Sequence, residues 1–409
     1  MKFLIAAGGT GGHITPGLAI GTMLKSEGHE VIFIGTEKGL EKDLIPKAGF
    51  RIEYIHASGF VSDFQGKLEA IDNLNKGTSD CIKIIDLEKP DMCIGTGGYV
   101  TAPLMFAALK RKVPTLIHES NALPGKTTQL VARRINEVCV GFEETKTRLK
   151  KGNVVVTGNP NKMGLNKLTK EEAKAKIGIN NKLLLIFGGS QGAKKINETI
   201  IDAIKKVQFK GFDVIYATGP KNYDDVKNSL KESIADLYDV TEDEDSITLF
   251  INDNSLTYTA NTDGINKDVK SIQSENKIII KKFIYNMEEV MKASDIVVCR
   301  SGALTCSEIA EVGVGSILIP FPFAAENHQL FNAKTLENVG AAEIIEEDKL
   351  TTELLVERIN SIINNDELLE NMAENSKKLR TGNPIENIKN EIFKILAQWN
   401  HWAFYLYSI

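Results

Sequence analysis

The chain has 409 residues, of which 42% are hydrophobic and 25% charged, and a formal net charge of −5. That is enough for roughly two or three globular domains. The charge leaves no basic footprint for a nucleic-acid partner, and no apolar run is long enough to span a bilayer.

Phe3 to Ala7 reads as a short buried strand that enters at once on Gly8-Gly9-Thr10-Gly11-Gly12-His13. That direct start argues against a cleavable leader. Behind Pro16, apolar Leu18, Ala19, Ile20, Met23 and Leu24 recur at helical spacing. Strand, glycine turn and helix bring bare backbone N–H groups and a helix N-terminus up to an anion. His13 stands at the rim of that cradle, the side chain there that takes a proton near neutral pH. The turn is neither a P-loop nor a dinucleotide fingerprint. Taken alone, it is read equally well as a tight connection with a solvent histidine.

Further strands are expected at Glu30–Gly35, Arg51–Ile55, Met92–Ile94, Val113–Glu119, Val138–Val140 and Val154–Val156, with helices between them. A second glycine turn, Gly95–Tyr99, follows one of these strands, and a turn at Ser120–Gly125 follows another. Apolar strands alternating with helices predict a parallel sheet covered on both faces. The pattern pauses at Thr157-Gly158-Asn159-Pro160 and then restarts: strand Lys182–Phe187, turn Gly188–Ala193, helix Lys195–Val207. The predicted fold is therefore α/β, with two Rossmann-like doubly wound domains facing across a cleft. Ligands of such sheets lie beyond the carboxyl ends of the strands. The expected boundaries are 1–160, 161–380, and a C-terminal helix with an aromatic tail, 381–409, packing back on the first domain.

Within the second domain, the strand Phe212–Thr218 leads into a polar stretch, Lys221–Lys277. Its part from 236 to 276, dense in Asp, Asn, Ser and Thr, is expected to be a surface insertion. Order returns with strand Ile278–Phe283, helix Asn286–Lys292, strand Asp295–Cys299, turn Arg300–Ala303 and helix Leu304–Val312. A strand at Ser316–Pro320, a helix at Asn327–Asn338 and three helices over Thr351–Trp399 complete the pattern.

The chemistry-bearing candidates follow from this layout. Glycine turns at Gly8–Gly12, Gly95–Gly98, Gly188–Gly192 and Ser301–Ala303 each close a strand and open a helix, which as a set points to a diphosphate. Glu308, one turn into its helix, can accept from both ribose hydroxyls, or be an acid favoured by the helix dipole. His118 and Glu119 are read either as acid and base or as a buried pair supporting the next loop. Asn121 and Gln329 offer amides to sugar hydroxyls, and Gln329 can equally cap its helix. His29, His56 and His401 are read as surface residues. No His, Cys, Asp or Glu group has metal-ligand spacing, so neither metal nor cofactor is expected. The five cysteines, odd in number and without a Cys-x-x-Cys pair, suit free thiols in a reducing compartment. Cys299 and Cys306 flank a turn, as a reactive pair or as buried packing.

With these residues assembled, the chain resembles the MurG family of peptidoglycan N-acetylglucosaminyltransferases. The resemblance rests on Gly8 to His13, Gly97-Gly98-Tyr99-Val100, His118-Glu119-Ser120-Asn121 and Gly158-Asn159-Pro160. It continues through Gly188 to Ala193, Arg300 to Thr305, Glu308, His328-Gln329 and Asn332-Ala333, collinear over about the first 380 residues. It implies the two-domain GT-B fold and an inverting transfer of GlcNAc from UDP-GlcNAc to the C4 hydroxyl of the MurNAc of lipid I, giving lipid II. Carried over by motif, Ser190, Ala303, Leu304 and Thr305 hold the diphosphate, Glu308 the ribose, Ile284 the uracil through its backbone, and Gln329 the GlcNAc. Thr10, Gly11 and Gly12 lie near the acceptor diphosphate, Asn121 faces its sugar, and His13 is the general base. Lys162 stands where the family usually has an arginine; it keeps the charge and lacks the bidentate fork. The resemblance also implies a place on the cytoplasmic face of the cell membrane, with other cell-wall proteins as further partners. Phe60, Val61, Phe64, Lys67 and Leu68, and separately Phe106, Leu109, Lys110, Arg111 and Lys112, are apolar-basic stretches suited to an anionic bilayer surface or to ordinary packing. The alternatives are a transferase of the same fold acting on another lipid, such as diacylglycerol, and a non-catalytic nucleotide-sugar-binding protein.

Overall fold

The computed structural model describes residues 1–59, 64–160, 168–231, 233–234, 237–251 and 276–406, with the backbone alone at 64–68 and 400–406. Strands β1 (Lys2–Ala6), β2 (Glu30–Gly35), β3 (Arg51–Tyr54), β4 (Met92–Gly95), β5 (Thr115–Glu119), β6 (Glu137–Val140) and β7 (Val154–Val156) form one sheet. Its order is β3-β2-β1-β4-β5-β6-β7 and every pairing is parallel. Successive side chains of a strand go to opposite faces. Leu4 and Ala6 therefore join one core with the helices Phe64–Glu88 and Thr101–Arg111, while Phe3, Ile5 and Ala7 join another. That second core takes Ile14, Ile20 and Leu24 from the helix Gly11–Ser26. It also takes Ile388, Ile392, Ile395 and Leu396 from the long C-terminal helix Pro384–Leu406.

The second sheet contains β8 (Leu183–Phe187), β9 (Asp213–Ala217), β10 (Tyr238–Glu242), β11 (Ser246–Ile251), β12 (Lys277–Lys281), β13 (Ile296–Cys299), β14 (Gly315–Leu318) and β15 (Ala342–Ile344). Its order is β10-β11-β12-β9-β8-β13-β14-β15. Leu183, Leu185 and Phe187 enter one core, Leu184 and Ile186 the other.

Two sequence expectations change here. The stretch 236–276 is not all surface insertion: β10 and β11 make an antiparallel hairpin that extends the sheet beside β12. Ile247 and Leu249 alternate with polar or half-exposed neighbours and are buried, as is Tyr238, so the apolar minority in a polar stretch sets the structure. Residues 252–275 lie outside the described residues. Upstream, Tyr223–Lys231 is a helix whose Tyr223, Val226 and Leu230 face the core.

In each sheet the chain crosses from its first strand to the other side, β1 beside β4 in the first and β8 beside β13 in the second; the second sheet turns once more where the β10–β11 hairpin adds outside β12. Open α/β sheets bind ligands at such crossings. The four glycine turns of the sequence sort into these two pairs. Gly8–Gly12 follows β1 and Gly95–Gly98 follows β4; Gly188–Gly192 follows β8 and Ser301–Ala303 follows β13.

Candidate active site

The first turn is shaped by what lies beside it. Gly9 has φ +95°, a conformation open to glycine, and Gly97 and Gly98 have φ +99° and +78°. A Cβ on Gly97 would come within 2.6 Å of His13 Cδ2, and one on Gly98 would collide with the Gly8 carbonyl. The bare backbone of the second turn is therefore what lets His13 sit against the first. The His13 and Ile14 amides bond Thr10 O at 3.0 and 3.1 Å, so the Gly11 and Gly12 amides come before the helix ladder begins. No acidic side chain occupies that helix's first turn, which leaves its positive end uncompensated.

His13 Nδ1 lies 3.3 Å from Gly8 O and 3.4 Å from Thr10 Oγ1. A carbonyl only accepts, so the proton of the neutral ring is on Nδ1 and Nε2 carries the lone pair. Burial lowers the His13 pKa below its ordinary value of 6.5, opposed by Glu119 and by the bond to Gly8 and aided by His328. His13 is thus held as a neutral imidazole whose Nε2 has no hydrogen-bond partner among the described residues.

His118 resolves differently. It is fully buried, its Nε2 donates to Gly158 O at 3.1 Å, and burial pushes its pKa down to about 4. Glu119 accepts from the Asn121 N–H at 3.0 Å, the Gly125 N–H at 3.0 Å and Thr128 Oγ1 at 2.7 Å. The pair is loop support, not acid and base. Asn121 also donates Nδ2 to Glu119 at 3.3 Å, and its Oδ1 accepts from Asn332 at 3.3 Å.

In the second domain, β8 and β13 pair with Phe187 opposite Cys299, so the turns that follow them lie side by side. Ser190 is exposed in the first of these turns. Helix Ala303–Val312 opens the second, with the Cys306 amide bonding Gly302 O at 2.9 Å. The amides of Ala303, Leu304 and Thr305 precede that first helical bond, and again no acid sits in the first turn. Glu308 stands one turn further on. Among the described residues it has no hydrogen-bond or ion-pair partner, and burial pushes its pKa up to about 7. Ile284 is 3% exposed with its side chain in the core, which leaves its backbone for any ligand. Gln329 Oε1 accepts the Phe321 N–H at 2.9 Å, and its backbone oxygen accepts from Ser301 Oγ at 2.8 Å. Lys162 lies outside the described residues, as do Phe60 and Val61 and the side chains of Phe64, Lys67, Leu68 and His401.

The turn pair of the first domain opens on a pocket of about 280 Å³ lined by His13, Gly97, Glu119 and Asn121 from that domain and by Ala325, Glu326 and His328 from the second. Two asparagines pin the domains together, and the motif reading gave neither a role. Asn159 Nδ2 donates to Ser307 Oγ at 2.8 Å; Asn332 accepts the Ala122 N–H at 2.9 Å and donates to Ser301 O at 3.2 Å. Their signal in the sequence was an amide beside a glycine or an alanine in a quoted motif, which does not reveal a partner about 150 or 200 residues away.

Several smaller readings are corrected. His29 is not a free surface residue: it lies between the rings of Phe3 and Phe393, at 5.6 and 5.7 Å. His56 is on the surface as expected, and it has a partner that the sequence did not show, Asp80, at 2.6 Å. Cys299 and Cys306 are buried, with thiols pushed far up by burial, so packing holds over reactivity. Arg111, itself exposed, makes a two-bond ion pair with Asp86 and Phe106 packs on the core, which leaves Lys110 and Lys112 as the exposed cations of that stretch with no ion pair among the described residues.

The comparisons with known proteins agree with this fold. The glycosyltransferase family 28 N-terminal domain matches residues 3–140, and its C-terminal domain matches 183–259 and 259–391. The UDP-N-acetylglucosamine--N-acetylmuramyl-(pentapeptide) pyrophosphoryl-undecaprenol N-acetylglucosamine transferase of Acetivibrio thermocellus is 38% identical over 403 residues, covering 97% of this chain and 98% of that one. The protein of the same name from Ruminiclostridium cellulolyticum is 37% identical, covering 97% and 100%. The crystal structure of Acinetobacter baumannii MurG superposes with a TM-score of 0.73 at 27% identity, covering 96% of this chain and 99% of that one. The chain belongs to glycosyltransferase family 28 and, within it, to the MurG family.

Proposed function

We propose that the chain is an inverting N-acetylglucosaminyltransferase that moves GlcNAc from UDP-GlcNAc to the C4 hydroxyl of the MurNAc of lipid I, forming lipid II. The observation that carries it is the neutral His13 of one domain, lining a pocket to which the other domain contributes Ala325, Glu326 and His328. An alcohol is a poor nucleophile until a base takes its proton. Nε2 takes the C4 proton as the oxygen forms its bond to the anomeric carbon, and the bond from that carbon to the β-phosphate oxygen breaks. The electron pair leaves on UDP, where Ser190 and the Ala303, Leu304 and Thr305 amides stabilise the growing charge. One displacement inverts the anomeric centre and needs no covalent nucleophile.

In this reading Glu308 binds the ribose, the Ile284 backbone the uracil, Gln329 the GlcNAc and Lys162 the nucleotide. Thr10, Gly11, Gly12 and Asn121 face the acceptor. Because lipid I is anchored in a membrane, the chain works at the cytoplasmic membrane surface, where Lys110 and Lys112 suit anionic headgroups. The test is incubation with UDP-GlcNAc and a short-chain lipid I analogue. Formation of the β-1,4-linked disaccharide with release of UDP is expected. Transfer to diacylglycerol instead, or binding without turnover, would overturn it.

A further inference from the structure

Beneath the first glycine turn lies Glu41, 0% exposed. A buried carboxylate is costly unless it is paired or fully hydrogen-bonded. Among the described residues Glu41 has no cationic partner; backbone and hydroxyl donors surround it instead. Its Oε1 accepts from the Thr36 N–H at 3.1 Å and Thr36 Oγ1 at 2.8 Å, with Tyr99 OH at 3.4 Å. Its Oε2 accepts from the Gly9 N–H at 3.0 Å. Three glycines leave it room: a Cβ on Gly8 would meet Oε1 at 2.9 Å, one on Gly35 would meet Cγ at 2.7 Å, and one on Gly39 would collide with the carboxylate.

The Gly9 N–H and the Gly8 C=O belong to one peptide unit, whose trans plane points them in opposite directions. That same Gly8 carbonyl accepts from His13 Nδ1 at 3.3 Å. Carboxylate, peptide and imidazole therefore form one hydrogen-bonded line, and bonds in such a line polarise one another.

We propose that Glu41 is a positioning residue for His13, acting through the Gly8–Gly9 peptide. The negative charge behind Gly9 N–H strengthens Gly8 O as an acceptor. The carbonyl then holds the ring in its Nδ1–H form and steadies the imidazolium that exists once Nε2 has taken the acceptor's proton. The inference rests on His13 as the base of the proposed transfer.

The test is Glu41→Gln, which keeps size and removes charge. Glu119, His328, Glu326 and Lys126 also face the pocket of His13, and all stay unchanged in the variant. The expected result is a fall in kcat on the order of tenfold with KM for UDP-GlcNAc unmoved, and an acid limb of kcat/KM displaced to lower pH. Nitrogen-15 NMR of histidine-labelled native protein, with His13 assigned by its absence in His13→Ala, should show the Nδ1–H tautomer. Lost activity with an unmoved acid limb would make Glu41 structural support and overturn the proposal, as would wild-type kinetics. If Glu41→Gln fails to bind UDP-GlcNAc in calorimetry, the native spectrum decides alone, and an Nε2–H tautomer overturns the proposal. Turnover retained in His13→Ala would instead remove the base itself, a separate failure.

Discussion

Asn159 reaches from the first domain to Ser307 of the second, its Nδ2 2.8 Å from the serine oxygen. Ser307 is the neighbour of Glu308 on the helix Ala303–Val312, whose first amides are proposed to hold the diphosphate. One amide thus fixes the helix Ala303–Val312 of one domain against the loop that follows β5 of the other, where the same nitrogen donates to Ser120 O at 3.1 Å. Asn159→Ala removes these bonds and should cost about 1–2 kcal/mol of stability. A lower thermal midpoint and a several-fold higher KM for UDP-GlcNAc are expected; an unchanged KM would mean that the pin does not set the donor site.

His13→Ala should lose on the order of 10²–10⁴-fold in kcat, the usual worth of a positioned base. Calorimetry with UDP-GlcNAc should give an unchanged affinity, since the donor contacts proposed above all lie in the other domain. Turnover near the parent value would end the role assigned to the imidazole.

Glu308 sits partly desolvated with a pKa near 7, raised by burial from the ordinary 4.5. Between those values the native state holds a proton that the unfolded chain has lost, so stability falls as pH rises through the window. Glu308→Gln should therefore raise the melting temperature at pH 8 relative to the parent, with a smaller gap at pH 5. The same variant should bind UDP more weakly at pH 8, where the parent carboxylate is ionised and accepts from the ribose. Unchanged affinity there would remove Glu308 from the nucleotide site.

Glu137 on β6 is buried against the C-terminal helix. Its Oε2 accepts from Asn153 at 2.7 Å and lies 3.8 Å from Lys394, while Oε1 has no partner among the described residues. Burial first, then Glu391, pushes its pKa up to about 7. Above that pH the site holds a charge it solvates poorly, so stability is lost as pH rises from the ordinary carboxylate range toward 7. Glu137→Gln should melt higher than the parent at pH 8 and alike at pH 4; a variant less stable at both values would refute this account.

Gly98→Ala tests the packing of the two turns. Its φ of +78° disfavours any side chain by about 1–2 kcal/mol, and the added Cβ collides with the carbonyl that orients His13. A fall in kcat with the fold retained by circular dichroism is expected; full activity would show that the turn relaxes freely.

The sequence by itself determined the alternation of strands and helices, because apolar runs such as Leu183–Phe187 and glycine turns such as Gly188–Gly192 are local signals of local geometry. It also gave the set of loops at the strands' carboxyl ends and, by motif, the residues proposed for donor and acceptor. It did not reveal the hairpin β10–β11, where a polar stretch hides an apolar alternation whose partner, β12, lies beyond residue 275. Nor did it reveal Glu41 beneath Gly9 or Asn159 against Ser307. Those contacts join residues far apart in the chain. A buried carboxylate or amide is read as solvent-facing until the fold supplies its donors, because hydrogen-bond partners at that distance leave no periodicity in the sequence. Tertiary structure decided which glycine turns pair, which histidine lines the pocket, and which is buried away from it.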